Sequence, residues 1–121
     1  MADYVDTCYK YIPELDYWSV TGTLPRQRSR SGYASSESWG LVMAGGVDGG
    51  DNVVSSVPTT KNGMGIISES LPDLPTKKEN SCLVVIDDER LFNCGGQGSN
   101  LLSETLIFSK STNSWSRSTQ L

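Results

Sequence analysis

The stretch Gly40-Leu-Val-Met-Ala-Gly-Gly46 has a counterpart 50 residues later, Arg90-Leu-Phe-Asn-Cys-Gly-Gly96. In both stretches a short apolar run ends on two glycines, which is typical of a strand that leads into a tight turn. The same spacing relates Leu24-Pro25 to Leu74-Pro75. Because self-similarity at a constant spacing indicates a repeat architecture, we expect the chain to consist of repeats of about 50 residues.

The two ends of the chain are also similar to each other. Tyr11 stands seven positions before Trp18, and Phe108 stands seven positions before Trp115. Each tryptophan is followed six positions later by a leucine. We therefore expect the chain to begin late in one repeat, to run through a second and to end late in a third.

Short strands separated by turn residues are predicted throughout the chain. Each repeat is expected to contain four strands, and a tight turn joins the first two into a hairpin. First strands are predicted at 32–36 and 81–86, second strands at 40–44 and 90–94, third strands at 53–59 and 104–109, and fourth strands at 64–68 and 115–119. The opening partial repeat contributes strands at 9–12 and 18–21.

Four short strands per repeat, a double glycine after the second and a tryptophan in the fourth resemble the kelch repeat. The resemblance implies an all-β fold, a partial β-propeller of four-stranded antiparallel blades that does not close. It divides the chain into the last two strands of a preceding blade (1–24), a kelch-like blade (25–74) and a second kelch-like blade (75–121). It also implies tight turns at Gly45-Gly46 and Gly95-Gly96, with Trp18 and Trp115 packed between neighbouring blades.

The middle repeat departs from this pattern in its outer half. Gly65 stands where the tryptophan is expected, and Pro58 stands where the aromatic residue is expected. Because proline cannot donate a hydrogen bond to a strand ladder, this half of the blade is expected to pair less well and to lie at an edge.

Cationic residues occur in both connections between blades. Arg26, Arg28 and Arg30 alternate, so in an extended segment their side chains point to one side. The equivalent segment carries Lys77 and Lys78. These residues either bind acidic groups of a partner or form a solvated connection, and runs of charge more commonly belong to solvated faces.

Composition argues against several classes of function. The formal net charge of −4 argues against general nucleic-acid binding, and no apolar run is long enough to cross a membrane. The chain has no histidine and three cysteines without metal-site spacing, so no metal or other cofactor is expected. The acids at 48–52 are assigned to a turn, and those at 87–89 to an exposed hairpin tip, so no catalytic residue is predicted.

Cysteine and tryptophan positions give two further expectations. Cys82 and Cys94 face each other across one hairpin; buried free thiols are favoured there over a cross-strand disulfide. Trp115 is expected to be substantially buried, so that Trp115→Ala costs on the order of 3 kcal/mol. Trp39, at a hairpin tip, is expected to tolerate substitution better.

The leading hypothesis is a protein–protein interaction module that presents loops to an unidentified protein or peptide, without enzymatic activity. The alternatives are a segment of a propeller-fold enzyme, such as an oxidase or a sugar-processing enzyme, and a purely structural segment of a larger propeller. About two and a half blades cannot close a ring, so the chain is expected to be a fragment of a longer protein or to self-associate.

Overall fold

The chain folds almost entirely into β-strands in its computed structural model, which describes residues 6–24, 26–60, 69–99 and 103–118. The one helical element in these ranges is a single 3-10 turn, Pro13–Leu15, and no described helix has the length and apolarity to cross a membrane. The strands are β1 Thr7–Ile12, β2 Tyr17–Thr23, β3 Arg28–Ser29, β4 Gly32–Ser36, β5 Gly40–Ala44, β6 Gly46–Asp48, β7 Val53–Val54, β8 Val57–Thr59, β9 Glu69–Leu71, β10 Cys82–Val85, β11 Arg90–Cys94, β12 Thr105–Ser109 and β13 Ser114–Arg117.

These strands form antiparallel sheets, and none of the sheets in the described residues closes on itself. Two sheets have four strands, in the orders β4-β5-β8-β9 and β10-β11-β12-β13. A two-stranded sheet joins β1 to β2, and a small sheet joins β3, β6 and β7. The predicted all-β class is therefore confirmed, and β4, β5 and β11 have the bounds predicted from the sequence.

The third strand of the middle repeat differs from its prediction. The segment 53–59 is split, because β7 pairs with β6 whereas β8 continues the four-stranded sheet. Pro58 does not lie at an edge, since β8 lies between β5 and β9. Its pairing with β5 is limited to Val42 and Thr59, whereas five residue pairs join β11 to β12. The fourth strand predicted at 64–68 lies outside the described residues.

The main core lies between the two four-stranded sheets. In β5 the alternation of buried and half-buried residues directs Val42 and Ala44 inward, as expected for a strand with one covered face. Side chains from β10, β11 and β12 of the second sheet pack in the same core, and Leu74 from the connection between the sheets also belongs to it. The buried cluster comprises Trp39, Val42, Ala44, Val57, Leu74, Leu83, Leu91, Leu106 and Phe108.

Trp18 contradicts the expectation that it packs between blades. Its side chain is 63% exposed, and its ring contacts that of Tyr11 in the same hairpin in a tilted arrangement, with ring centroids 5.1 Å apart. The hairpin β1-β2 forms a sheet of two strands, and Val20, on the same face as Trp18, is also exposed. Its counterpart Trp115 is half-buried against Phe108, and its indole N–H donates to the Pro72 carbonyl at 2.8 Å.

Trp39 contradicts the expectation of a tolerant hairpin tip, because its side chain is only 7% exposed. The ring meets the edge of Phe108 in the second sheet, with centroids 5.9 Å apart. The indole N–H donates to the Asp87 carbonyl at 2.7 Å, and the Lys110 ammonium lies 4.2 Å from the ring centroid. The tip of the first hairpin is thus covered by the second sheet.

Candidate functional site

Two cations that are 50 residues apart occupy equivalent positions in the two repeats. Arg28 precedes the paired residues Ser29 and Val47, and Lys78 precedes the paired residues Glu79 and Gln97. Hydrogen bonds identify the facing positions. Gly45 N donates to the Ser56 carbonyl and Gly95 N donates to the Glu104 carbonyl, each at 3.0 Å. Ser56 in the first repeat is therefore the structural equivalent of Glu104 in the second.

Lys78 is fully buried and lies in a polar network. Its ammonium lies 2.9 Å from Asn93 Oδ1 and 3.0 Å from Glu104 Oε1. Glu104 Oε2 also pairs with Arg117 at 3.1 Å, and the Asn93 amide donates to Ser81 Oγ at 3.0 Å. Burial of an ammonium is tolerated only when such partners replace its hydration. Lys78 thus has a structural role, and the prediction that it is a solvated or partner-contacting residue is wrong.

Arg28 is also buried, at 9% exposure, but its partners are neutral. Nη1 donates to the Gly45 carbonyl at 3.0 Å and to the Ser56 carbonyl at 3.4 Å, and Nη2 donates to Ser56 Oγ at 2.7 Å. Burial lowers the pKa of Arg28, with a further lowering from Arg26 and an opposing effect from Asp48. Arginine nevertheless stays protonated in proteins, so a positive charge lies here with neutral hydrogen-bond partners.

The three predicted arginines do not share one side. Arg26 pairs with Asp48 at 3.4 Å, and Arg28 points inward beneath the double glycine. Arg30 adopts a left-handed backbone with φ of 57°, which interrupts the alternation, and its side chain pairs with Glu79 at 3.4 Å. The prediction that the three side chains point to one side required an extended segment over 26–30. It is wrong because the backbone turns at Arg30.

Loops on the double-glycine side of the sheets form a cleft of about 460 Å³, named here the loop cleft. It brings together three of the predicted cations, Arg26, Arg28 and Lys77, whereas Lys78 and Arg30 do not line it. Two carboxylates, Asp48 and Asp73, also line it. The full lining is Arg26, Arg28, Asp48, Asn52, Val53, Val54, Ser55, Ser56, Pro58, Asp73 and Lys77.

Both double glycines adopt backbone conformations with positive φ. Gly45 and Gly46 have φ of 65° and 110°, and Gly95 and Gly96 have φ of 67° and 98°, values that favour glycine. A Cβ on Gly45 would overlap the Lys78 carbonyl oxygen, and Gly46 N donates to that oxygen at 2.8 Å. The first double glycine therefore lets the two repeats approach through their backbones.

The acidic loop beside the cleft is a turn that binds its own backbone. Asp48 Oδ1 accepts hydrogen bonds from Gly50 N at 2.9 Å and from Asn52 N at 3.0 Å. These bonds, first that from Asn52, lower the pKa of Asp48. Asp87 caps the second hairpin in the same way, and its pKa is also lowered. Within the part of the chain that the structure describes, no group of three or more histidine, cysteine or acidic side chains could hold a metal ion.

A second cleft, of about 560 Å³, lies between the opening hairpin and the β4-β5 turn. Cys8, Tyr9 and Lys10 line one wall and Ser36 and Leu41 line the other.

Cys82 and Cys94 are directly opposite each other on β10 and β11, with their sulfur atoms 3.1 Å apart. Both are free thiols, in keeping with the preferred prediction, but Cys82 is exposed and Cys94 is half-buried. The expectation of buried thiols is therefore wrong. It failed because the same face of β10 that carries Cys82 also carries the exposed Val84.

Alkylation of Cys94 is expected to need a higher pH than alkylation of an ordinary cysteine. Its pKa is raised, first by the hydrogen bond to Cys82 and then by burial. Because the thiolate is the reacting form, less of it is present at any pH below the raised pKa. Iodoacetamide labelling at a series of pH values, read by peptide mass spectrometry, measures this pKa. Cys82→Val should move the Cys94 labelling profile to lower pH, and an unchanged profile would contradict the assigned cause.

Comparison with known proteins adds no family assignment, since no family model and no curated protein matches the chain.

Proposed function

We propose that the chain is a protein-interaction module, a piece of a kelch-type β-propeller whose double-glycine side presents loops to a protein or peptide partner. In this proposal the sheets β4-β5-β8-β9 and β10-β11-β12-β13 are the blades at 25–74 and 75–121. Three features support it. The four strands of each sheet are antiparallel and lie in chain order, although β6 and β7 interrupt the first sheet between β5 and β8. The first strands of the two sheets are in contact, and the facing surfaces of the sheets share one core. The hairpin β1-β2 then corresponds to the last two strands of a preceding blade.

The loop cleft is the observation that carries the proposal. It is built from three separate loops, around Arg26, Asn52 and Lys77, on a rigid base of paired strands. Loops held in this way commonly form binding sites, because their side chains can vary without disturbing the sheets. Arg26 and Lys77 are exposed and lie outside the buried core, so a ligand can contact both side chains. Arg26 also pairs with Asp48 at 3.4 Å. The proposal includes no enzymatic activity and no cofactor.

Selection of peptides from a random displayed library against the purified chain tests the proposal. The selected peptides should lose about tenfold or more in affinity for the double variant Arg26→Glu and Lys77→Glu, because the cleft charge is reversed. Asp88→Asn is the control, because Asp88 lies at a hairpin tip, at the other ends of the strands. A binding role for the loops would be contradicted if the selected peptides bound the double variant and the Asp88→Asn control with equal affinity. It would also be contradicted if no peptide were selected.

A further inference from the structure

The equivalent cation sites of the two repeats differ in one component. In the second repeat, Glu104 places a carboxylate between Lys78 and Arg117, at 3.0 Å and 3.1 Å. In the first repeat the same position is Ser56, which offers Arg28 only a hydroxyl and a carbonyl oxygen. The second repeat therefore carries its own counter-ion, whereas the described residues of the first repeat supply none to the buried Arg28.

No carboxylate of the described residues takes the missing place. Arg28 forms no ion pair among these residues, and its Nε has no hydrogen-bond acceptor among them. The acids of the loop cleft are engaged elsewhere: Asp48 by Arg26 and by its own loop, and Asp73 by the Ser55 hydroxyl at 3.4 Å. A buried charge without a counter-ion is unfavourable, so an anion that reaches Arg28 gains more than one at an exposed cation.

We propose that the loop cleft binds a glutamate or aspartate side chain of an acidic peptide segment, whose carboxylate takes beside Arg28 the role that Glu104 takes beside Lys78. This inference rests on the proposed interaction function and names the chemistry of the partner. Arg26 and Lys77 line the same cleft, so three cations face the two carboxylates Asp48 and Asp73. One additional negative charge balances the site, and this favours a single carboxylate over a dianionic phosphate group.

Binding of blocked tetrapeptides to the whole chain tests the ligand chemistry. The probes are acetyl-Gly-Gly-Glu-Gly-amide, which carries a single carboxylate, and the same peptide with glutamine in place of glutamate; each is titrated while amide chemical shifts are followed by NMR. The glutamate peptide should bind roughly tenfold or more tightly than the glutamine peptide, since hydrogen bonds between charged groups are the stronger ones. Equal binding of the two peptides, or displacement of the glutamate peptide by inorganic phosphate at equal concentration, would overturn the inference.

Ser56→Glu tests the location of the site without removing a buried residue. The new carboxylate should pair with Arg28, so the glutamate peptide should bind roughly tenfold or more weakly while the thermal midpoint stays equal or rises. Lys77→Gln should lower the affinity for the glutamate peptide by roughly threefold, since Lys77 is an exposed cation. Lys10→Gln is its control, because Lys10 lies outside the cleft and should leave binding unchanged. The inference is overturned if the Ser56→Glu variant binds the glutamate peptide as tightly as the unchanged chain does.

Failure of this inference is distinguishable from failure of the proposed function. Selected peptides that depend on the cleft residues but carry no acidic side chain would support the interaction role and overturn the carboxylate assignment. The absence of any peptide that depends on these residues would overturn both.

Discussion

Replacement of Lys78 by methionine is expected to lower the free energy of unfolding by about 3 kcal/mol or more. The ammonium is fully buried, and its removal leaves Asn93 Oδ1 and Glu104 Oε1 without their 2.9 Å and 3.0 Å partner. Methionine fills a similar volume, so the loss reports mainly on the unpaired polar groups rather than on a cavity. Equilibrium unfolding in urea measures it.

Lys77 provides the matched control, since it is adjacent in sequence but exposed. Lys77→Met should change the stability by less than about 0.5 kcal/mol. Lys78→Met combined with Glu104→Gln should cost less than the sum of the single changes by about 1 kcal/mol or more, because the two residues are in contact. Equal stability losses for Lys77→Met and Lys78→Met would contradict the role assigned to the buried network.

Trp39→Ala is expected to cost about 3–5 kcal/mol, the range for removal of a large buried aromatic side chain. It removes the edge contact with Phe108, the hydrogen bond to the Asp87 carbonyl at 2.7 Å and the surface beneath Lys110. Trp39→Phe keeps much of the apolar contact and removes the hydrogen bond, so it should cost less. Urea unfolding of the two variants separates packing from hydrogen bonding.

The other two tryptophans give a ranking that checks this assignment. Trp115→Ala should cost about 3 kcal/mol, since the residue is half-buried and donates to the Pro72 carbonyl. Trp18→Ala should cost no more than about 0.5 kcal/mol, because the side chain is largely exposed. A larger loss for Trp18 than for Trp39 would mean that the core between the two sheets is wrongly placed.

The positions of strands and turns could be predicted from the sequence because their signals are local. Alternating apolar residues and the glycine after Ala44 define β5 without reference to the rest of the chain. The 50-residue spacing also relates β5 to β11, whose bounds were both predicted correctly. Strand pairing in the middle repeat was less predictable, because the partner of Val53 is β6 and not β5.

The candidate site was predicted only in part. The sequence analysis named Arg26, Arg28 and Lys77 as candidate binding residues, and these three line the loop cleft. It named Lys78 in the same way, although Lys78 is buried. The 50-residue spacing aligns Lys78 with Arg28, but it does not show that either residue is buried. The pairing with Glu104 was hidden, because Ser56 and Glu104 are 48 residues apart and only the hydrogen bonds from Gly45 and Gly95 show that they correspond.

The amino-acid sequence alone therefore determined the all-β class, most strand positions and the repeat spacing, since these depend on neighbours within a few residues. The tertiary structure alone decided which polar and aromatic side chains are buried. Lys78 is buried beside Asn93 of β11 and Glu104, the residue before β12. Trp39 is buried because Phe108 and Asp87 lie over its turn. The burial of such a side chain depends on which residues of the other repeat pack against it. The local sequence around a charged or aromatic residue at a turn does not indicate which residues these are.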